Sequence, residues 1–144
     1  MLKGIPAIVP PDLLKILMEM GHGDEIVISD GNFPSASLAR RLVRCDGNGV
    51  PELLEAVLKL FPLDSYVDAP VTLMQLIPGD KVETPIWDVY RDIVNKYEPV
   101  NNKVQHIERF AFCDRAKDAY AVVSTGEKAL YACILLKKGV VIEK

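Results

Sequence analysis

Amphipathic helical segments alternate with short apolar runs along almost the whole chain, and that alternation leaves few architectures open. Pro11 suits the first position of a helix. Leu13, Leu14, Leu17 and Met18 follow at helical spacing before Gly21 stops it. Ile26-Val27-Ile28 then runs as a strand into Asp30. Ser35 to Arg41 reads as a short helix and Leu42 to Cys45 as a strand, closed by Asp46-Gly47-Asn48-Gly49. Pro51 opens a helix with the apolar face Leu53, Leu54, Val57, Leu58 and Phe61. Val71 to Ile77 is a strand ended by Pro78-Gly79-Asp80. The clearest helix follows: Thr84 caps it, Pro85 takes its first position, and Ile86, Val89, Tyr90, Ile93, Val94 and Tyr97 recur every three or four residues. Val104 to Phe110 reads as a strand, Phe112 to Asp118 as a short helix and Tyr120 to Ser124 as a strand. Thr125-Gly126-Glu127 then turns the chain into a last strand, Leu130 to Leu136.

Helices interleaved with apolar strands predict an α/β fold of three layers, α/β/α, over one domain spanning residues 1–144. The sheet should be mixed but mostly parallel, with about six strands, because the last strands return after connections too short for parallel crossovers. Hydrophobic residues make up 49% of the chain, which sets disorder aside. A net charge of -3 argues against a nucleic-acid partner, since phosphate binding needs a basic face. No segment is apolar for long enough to span a membrane, and Met1 to Pro11 lacks the apolar core of a signal peptide. Three cysteines, Cys45, Cys113 and Cys133, match neither a disulfide framework nor a zinc site. They fit reduced thiols in the cytoplasm.

One stretch concentrates chemistry. Gly21-His22-Gly23-Asp24-Glu25 leads through the first strand to Asp30-Gly31-Asn32-Phe33-Pro34, bringing one of two histidines and a carboxylate to the ends of regular elements. This spacing is read as a small ligand held against His22 and Asp30. A bland reading is chemically adequate too: a histidine is favoured at a helix carboxyl end, and an aspartate after a strand commonly forms a turn. Arg109 and Tyr131 have equally ordinary readings as a surface arginine and a strand aromatic. Drawn as a metal site, His22, Asp24, Glu25 and Asp30 lack a diagnostic ligand spacing. No Gly-rich phosphate loop and no Gly-x-Ser-x-Gly elbow is present.

The residues themselves go further. Met20-Gly21-His22-Gly23-Asp24-Glu25-Ile26 followed by Asp30-Gly31-Asn32-Phe33-Pro34 resembles the signature of the ribose pyranase and fucose mutarotase family (RbsD/FucU), and its fucose branch more closely. The similarity continues through Leu63-Asp64-Ser65-Tyr66, Ile107-Glu108-Arg109-Phe110, Arg115-Ala116-Lys117 and the run from Thr125-Gly126-Glu127 to Val140. The resemblance implies an isomerase that interconverts the α and β anomers of L-fucose without a cofactor. It implies His22 as proton donor, Asp30 and Arg109 as substrate-binding residues, and Tyr131, Ala132 and Cys133 as a substrate-binding segment. Asp64 aligns with a further ligand position. A cytoplasmic ring of subunits, a pentamer or a decamer of two pentamers, is implied as well, with sites near subunit interfaces.

Two positions depart from the family pattern. Cys133 stands where asparagine is usual, and Cys113 where a tyrosine is common. A thiol hydrogen-bonds weakly beside an amide or a phenol, so the preferred sugar is less fixed than the reaction. A ribose-type pyranase and a monosaccharide-binding protein without catalysis are the two alternatives.

Overall fold

The computed structural model describes all 144 residues. In chain order the elements are α1 (Pro11–Glu19), β1 (Glu25–Ser29), α2 (Ser35–Leu38), β2 (Leu42–Cys45), α3 (Val50–Leu58) and β3 (Val71–Met74). They continue with α4 (Pro85–Tyr97), β4 (Val104–Ile107), α5 (Arg109–Asp118), β5 (Ala121–Thr125) and β6 (Ile134–Lys137). All six strands form one sheet in the order β2-β5-β1-β6-β3-β4. The pairs β2–β5, β5–β1 and β3–β4 are parallel, whereas β6 runs antiparallel to both its neighbours. The predicted mixed, mostly parallel sheet of an α/β fold is what the chain adopts.

Alternation along the strands sorts side chains onto two faces. Ile26, Ile28, Val71, Leu73, Ile134 and Leu136 meet α1, α3 and α4 in a cluster of 25 buried residues. Helix α4 contributes Ile86, Tyr90 and Val94 to it, each worth about 1.5–3 kcal/mol relative to exposure. On the other face Val27, Val122 and Leu135 pack against Phe112 and Ala116 of α5 in a cluster of only seven. This cover is thin and leaves a hollow at one end of the sheet.

Several boundaries move relative to the sequence reading. The last strand begins at Ile134, not Leu130, because Tyr131 takes a left-handed backbone (φ 55°) that no strand accepts. The fourth strand stops at Ile107, and α5 starts at Arg109 rather than Phe112. Glu108 accepts hydrogen bonds from the amides of Phe110 (2.8 Å) and Ala111 (3.1 Å), which frees the helix to begin early. The strand expected over 71–77 is paired only to Met74. Helix α4 has the expected bounds, but the Thr84 side chain makes no capping bond. Helix α1 ends at Glu19, two residues before Gly21.

Close backbone approach rather than turn geometry explains one glycine. A β-carbon on Gly139 would lie 2.5 Å from the Leu63 carbonyl oxygen, where the chain after β6 crosses 62–64. The Gly139 amide donates to the Pro62 carbonyl, and the Asp64 amide to the Lys137 carbonyl.

Candidate active site

The hollow lies beyond the carboxyl ends of β1 and β3 and before the start of β6, the edge where open α/β sheets hold ligands. It is a cavity of about 380 Å³. Asp30, Asn32, Phe33 and Pro34 line it from the loop after β1. Met74, Ile77 and Asp80 come from the loop after β3, Arg109 and Cys113 from α5, and Leu130, Tyr131 and Cys133 from the approach to β6. Its lining combines apolar side chains with two carboxylates, a guanidinium and a phenol.

Asp30 is almost buried, and each oxygen of its carboxylate accepts one bond from the chain, which leaves lone pairs for a ligand. Oδ1 accepts from the Asn32 amide (3.0 Å) and Oδ2 from the Ala132 amide (3.3 Å). Its own amide donates to the Cys133 sulfur at 3.4 Å. Burial, followed by the neighbouring Asp30 carboxylate, pushes the Cys133 thiol well above its usual range. It is therefore protonated at neutral pH and a poor nucleophile. Burial raises Cys113 in the same direction. Arg109, at the first position of α5, lies over the Phe110 ring (4.6 Å) and is paired with no carboxylate of the chain. A guanidinium facing a cavity without an internal partner is available to a ligand.

The Tyr131-Ala132 segment is held from several sides. The Trp87 indole donates to the Tyr131 carbonyl (2.8 Å), and the buried Tyr90 hydroxyl donates to the Ala132 carbonyl (2.6 Å). The Tyr131 hydroxyl donates to Asp80 Oδ2 (2.6 Å) and accepts from the Ile77 amide (3.2 Å). The bond to Asp80 pushes that hydroxyl above the ordinary tyrosine range.

His22 is elsewhere. It sits in the turn between α1 and β1, where Gly23 has φ 87° and donates its amide to the Lys138 carbonyl. His22 Nε2 lies 3.0 Å from Asp64 Oδ1, and its ring is 5.3 Å from that of Tyr66. Asp64 is buried (4% exposed) while the His22 side chain is 45% exposed. Burial alone would push the Asp64 carboxyl up. The Tyr66 amide, the His22 ring and Lys137 outweigh it and hold the group below its ordinary value. An ionised carboxylate can only accept, so Nε2 carries the proton and Nδ1 is the free nitrogen.

Of the seven residues expected at the site, four line the cavity, Asp30, Arg109, Tyr131 and Cys133, while Ala132 is buried behind them and reaches the site only through its amide on Asp30. His22 and Asp64 form a second group at the other end of β1. That strand alone spans ~13 Å at about 3.3 Å per residue, so a single subunit does not hold one ligand between His22 and Asp30. This corrects the reading from spacing, which ignored the length of the strand between the two residues. The other histidine offers no substitute. His106 on β4 packs on Trp87, and burial with the adjacent Arg91 lowers its pKa. Asp80, Met74 and Ile77 were not singled out in the sequence, where Pro78-Gly79-Asp80 reads only as a strand ending. No three His, Cys, Asp or Glu side chains are grouped to hold a metal ion.

The model of the RbsD / FucU transport protein family matches residues 3–141. The chain belongs to the RbsD/FucU family. It is 51% identical over 145 residues to the fucose mutarotase of Homo sapiens, covering 96% of this chain and 94% of that one. It is also 51% identical to the L-fucose mutarotase of Actinobacillus pleuropneumoniae, over 97% of both chains. Among solved structures, the fucose mutarotase of Streptococcus pneumoniae in complex with L-fucose superimposes with a TM-score of 0.93 at 52% identity. That match covers 98% of this chain and all of that one. RbsD of Bacillus subtilis complexed with D-ribose shares the family fold, with a TM-score of 0.74 at 21% identity over 99% of this chain and 100% of that chain. No helix is long and apolar enough to cross a membrane.

Proposed function

We propose that the chain is an L-fucose mutarotase, exchanging the α and β anomers by general acid–base opening and closure of the pyranose ring. What carries the reading is a cavity of monosaccharide size, lined by both polar and apolar side chains, in a chain half identical to proteins named as fucose mutarotases. Arg109 and the Asp30 loop bind ring hydroxyls through charge-assisted hydrogen bonds. Phe33, Met74 and Leu130 face the apolar side of the sugar.

Ring opening takes a proton from the anomeric hydroxyl and gives one to the ring oxygen. Rotation about the carbon–carbon bond of the open aldehyde and reclosure yield the other anomer. No electrons are transferred, and an imidazole, with one donor and one acceptor nitrogen, does both proton steps. His22 fills that role, with Asp64 fixing its tautomer so that Nδ1 exchanges the proton. General acid–base catalysis of this kind supplies on the order of 10²–10⁴ in rate, enough for a reaction that already proceeds in water.

Since His22 and the cavity are apart in one subunit, the reading requires a neighbouring copy to bring its His22–Asp64 pair to the cavity. Exposed apolar residues flank both groups. Tyr66 beside His22 is 80% exposed, Phe110 under the Arg109 guanidinium is 64% exposed and Leu130 in the cavity lining is 51% exposed. Such residues are typical of surfaces that another chain covers. A ring in which each copy serves the next, a pentamer or decamer, satisfies every site equally. Three free thiols fit a reducing cytoplasm.

Saturation-transfer NMR on L-fucose and D-ribose tests the assignment. Acceleration of anomer exchange with fucose preferred, and its loss in a folded His22→Ala variant, is the expected result. Fucose binding without acceleration would leave a binding protein, and a ribose preference would move the chain to the pyranase activity.

A further inference from the structure

We infer that Asp80 is a positioning residue of the sugar site, its carboxylate fixing the Tyr131 side chain against the cavity. The inference rests on the reading of that cavity as a monosaccharide site. Tyr131 is the only non-glycine residue with a positive φ. An aromatic residue keeps such a backbone only where its surroundings hold it. Here the indole of Trp87 takes one end, at the carbonyl, and Asp80 takes the other, at the hydroxyl.

Asp80 reaches Tyr131 from the loop between β3 and α4. Gly79 turns that loop with φ 88°, and the Asp80 amide donates back to the Ile77 carbonyl. One carboxylate oxygen of Asp80 accepts from the Val82 amide (3.2 Å), the other from the Tyr131 hydroxyl. Loop and phenol are thereby a single unit, and both line the cavity. The consequence for recognition is chemical. The hydroxyl proton of Tyr131 is committed to Asp80, and one lone pair to Ile77. What remains for a sugar is the ring face and one acceptor site. Tyr131 thus accepts from a sugar hydroxyl and does not donate to one. Asp80 lies at the solvent-facing rim, outside both apolar cores, so its removal changes the site and spares the fold.

The test is a set of variants, Asp80→Ala, Asp80→Asn, Tyr131→Phe and the double variant Asp80→Ala/Tyr131→Phe, assayed for L-fucose anomer exchange. Asp80→Ala should raise KM about three- to tenfold, the range for one hydrogen bond at a solvent-facing site, and leave kcat nearly unchanged. Asp80→Asn, which keeps an acceptor, should restore most of the loss. The double variant should match Tyr131→Phe alone, because Asp80 acts through that hydroxyl. Effects that multiply would mean that Asp80 touches the sugar directly and would overturn the inference, as would an Asp80→Asn variant no better than Asp80→Ala. Trp87 is the only tryptophan and bonds the same residue, so its emission reads the clamp without any sugar. A red shift in Asp80→Ala is expected; unchanged emission would also overturn the inference. Absence of fucose exchange in the wild type would instead sink the functional reading and leave the emission result to stand by itself.

Discussion

Mixing two impaired variants offers a direct way to ask whether one subunit serves another. His22→Ala removes the imidazole and leaves the cavity intact. Asp30→Asn removes the carboxylate charge from the cavity and leaves the His22–Asp64 pair intact. Alone, the first should lose on the order of 10²–10⁴ in turnover, the share a general acid–base supplies. The second should lose about 1.5–3 kcal/mol for each charge-assisted bond to the sugar, or roughly tenfold or more in kcat/KM. Strand β1 separates the two groups by ~13 Å within a chain, so neither variant can repair itself. In an equimolar assembly refolded together, a working site takes its cavity from the His22→Ala chain and its imidazole from the Asp30→Asn chain. Random arrangement gives each a chance of one half, so about a quarter of sites recover. Anomer exchange of L-fucose by saturation-transfer NMR, compared with the two variants assayed separately, reads this out. A mixture no more active than the sum of its parts, despite proven subunit exchange, would refute catalysis across the interface.

Two further outcomes follow from the geometry. Replacing Cys133 with Asn should raise kcat/KM for L-fucose by about 1 kcal/mol, roughly fivefold. The amide oxygen would accept from the Asp30 amide in place of the sulfur, and its two N–H donors would face the cavity; unchanged NMR kinetics would mean that residue 133 does not meet the sugar. Asp64 titrates lower in the folded chain than unfolded. Its stabilisation is therefore present above the unfolded value near pH 4 and is lost as pH falls through the folded one. Urea midpoints measured from pH 7 down to acid should fall less steeply below about pH 4 in Asp64→Asn than in the wild type.

How far the sequence could be read depended on whether local signals decided the structure. Helix α4 was legible because Pro85 and the spacing from Ile86 to Tyr97 act within one element. So was β2, where turn residues follow Cys45 at once. The approach to β6 was not: Leu130-Tyr131-Ala132 continues an apolar run, and only distant partners, Trp87 and Asp80, hold Tyr131 off the strand. Arg109 was found as a residue but misplaced on a strand, since glutamate is an uncommon helix cap. The separation of His22 from Asp30 was present in the count of residues between them, because a five-residue strand cannot fold its two ends together. What no spacing could reveal was the convergence of Asp80 on Tyr131, a contact across 51 positions of chain.

The lone antiparallel strand has a bearing on how the molecule is made. Strand β6 is the sole hydrogen-bonded link between the ribbon β2-β5-β1 and the ribbon β3-β4. Setting Leu136 between Ile26 and Val71 closes chain segments of 110 residues (26 to 136) and 65 residues (71 to 136). Loop closures of that size slow folding. Because β5 and β6 follow all the other strands in the chain, β1 and β2 gain their common partner, and Ile28 and Leu73 their ladder neighbour on β6, only after residues 121–137 are made. Nascent chains of this protein should therefore draw on chaperones until the final stretch emerges and zips the two halves together.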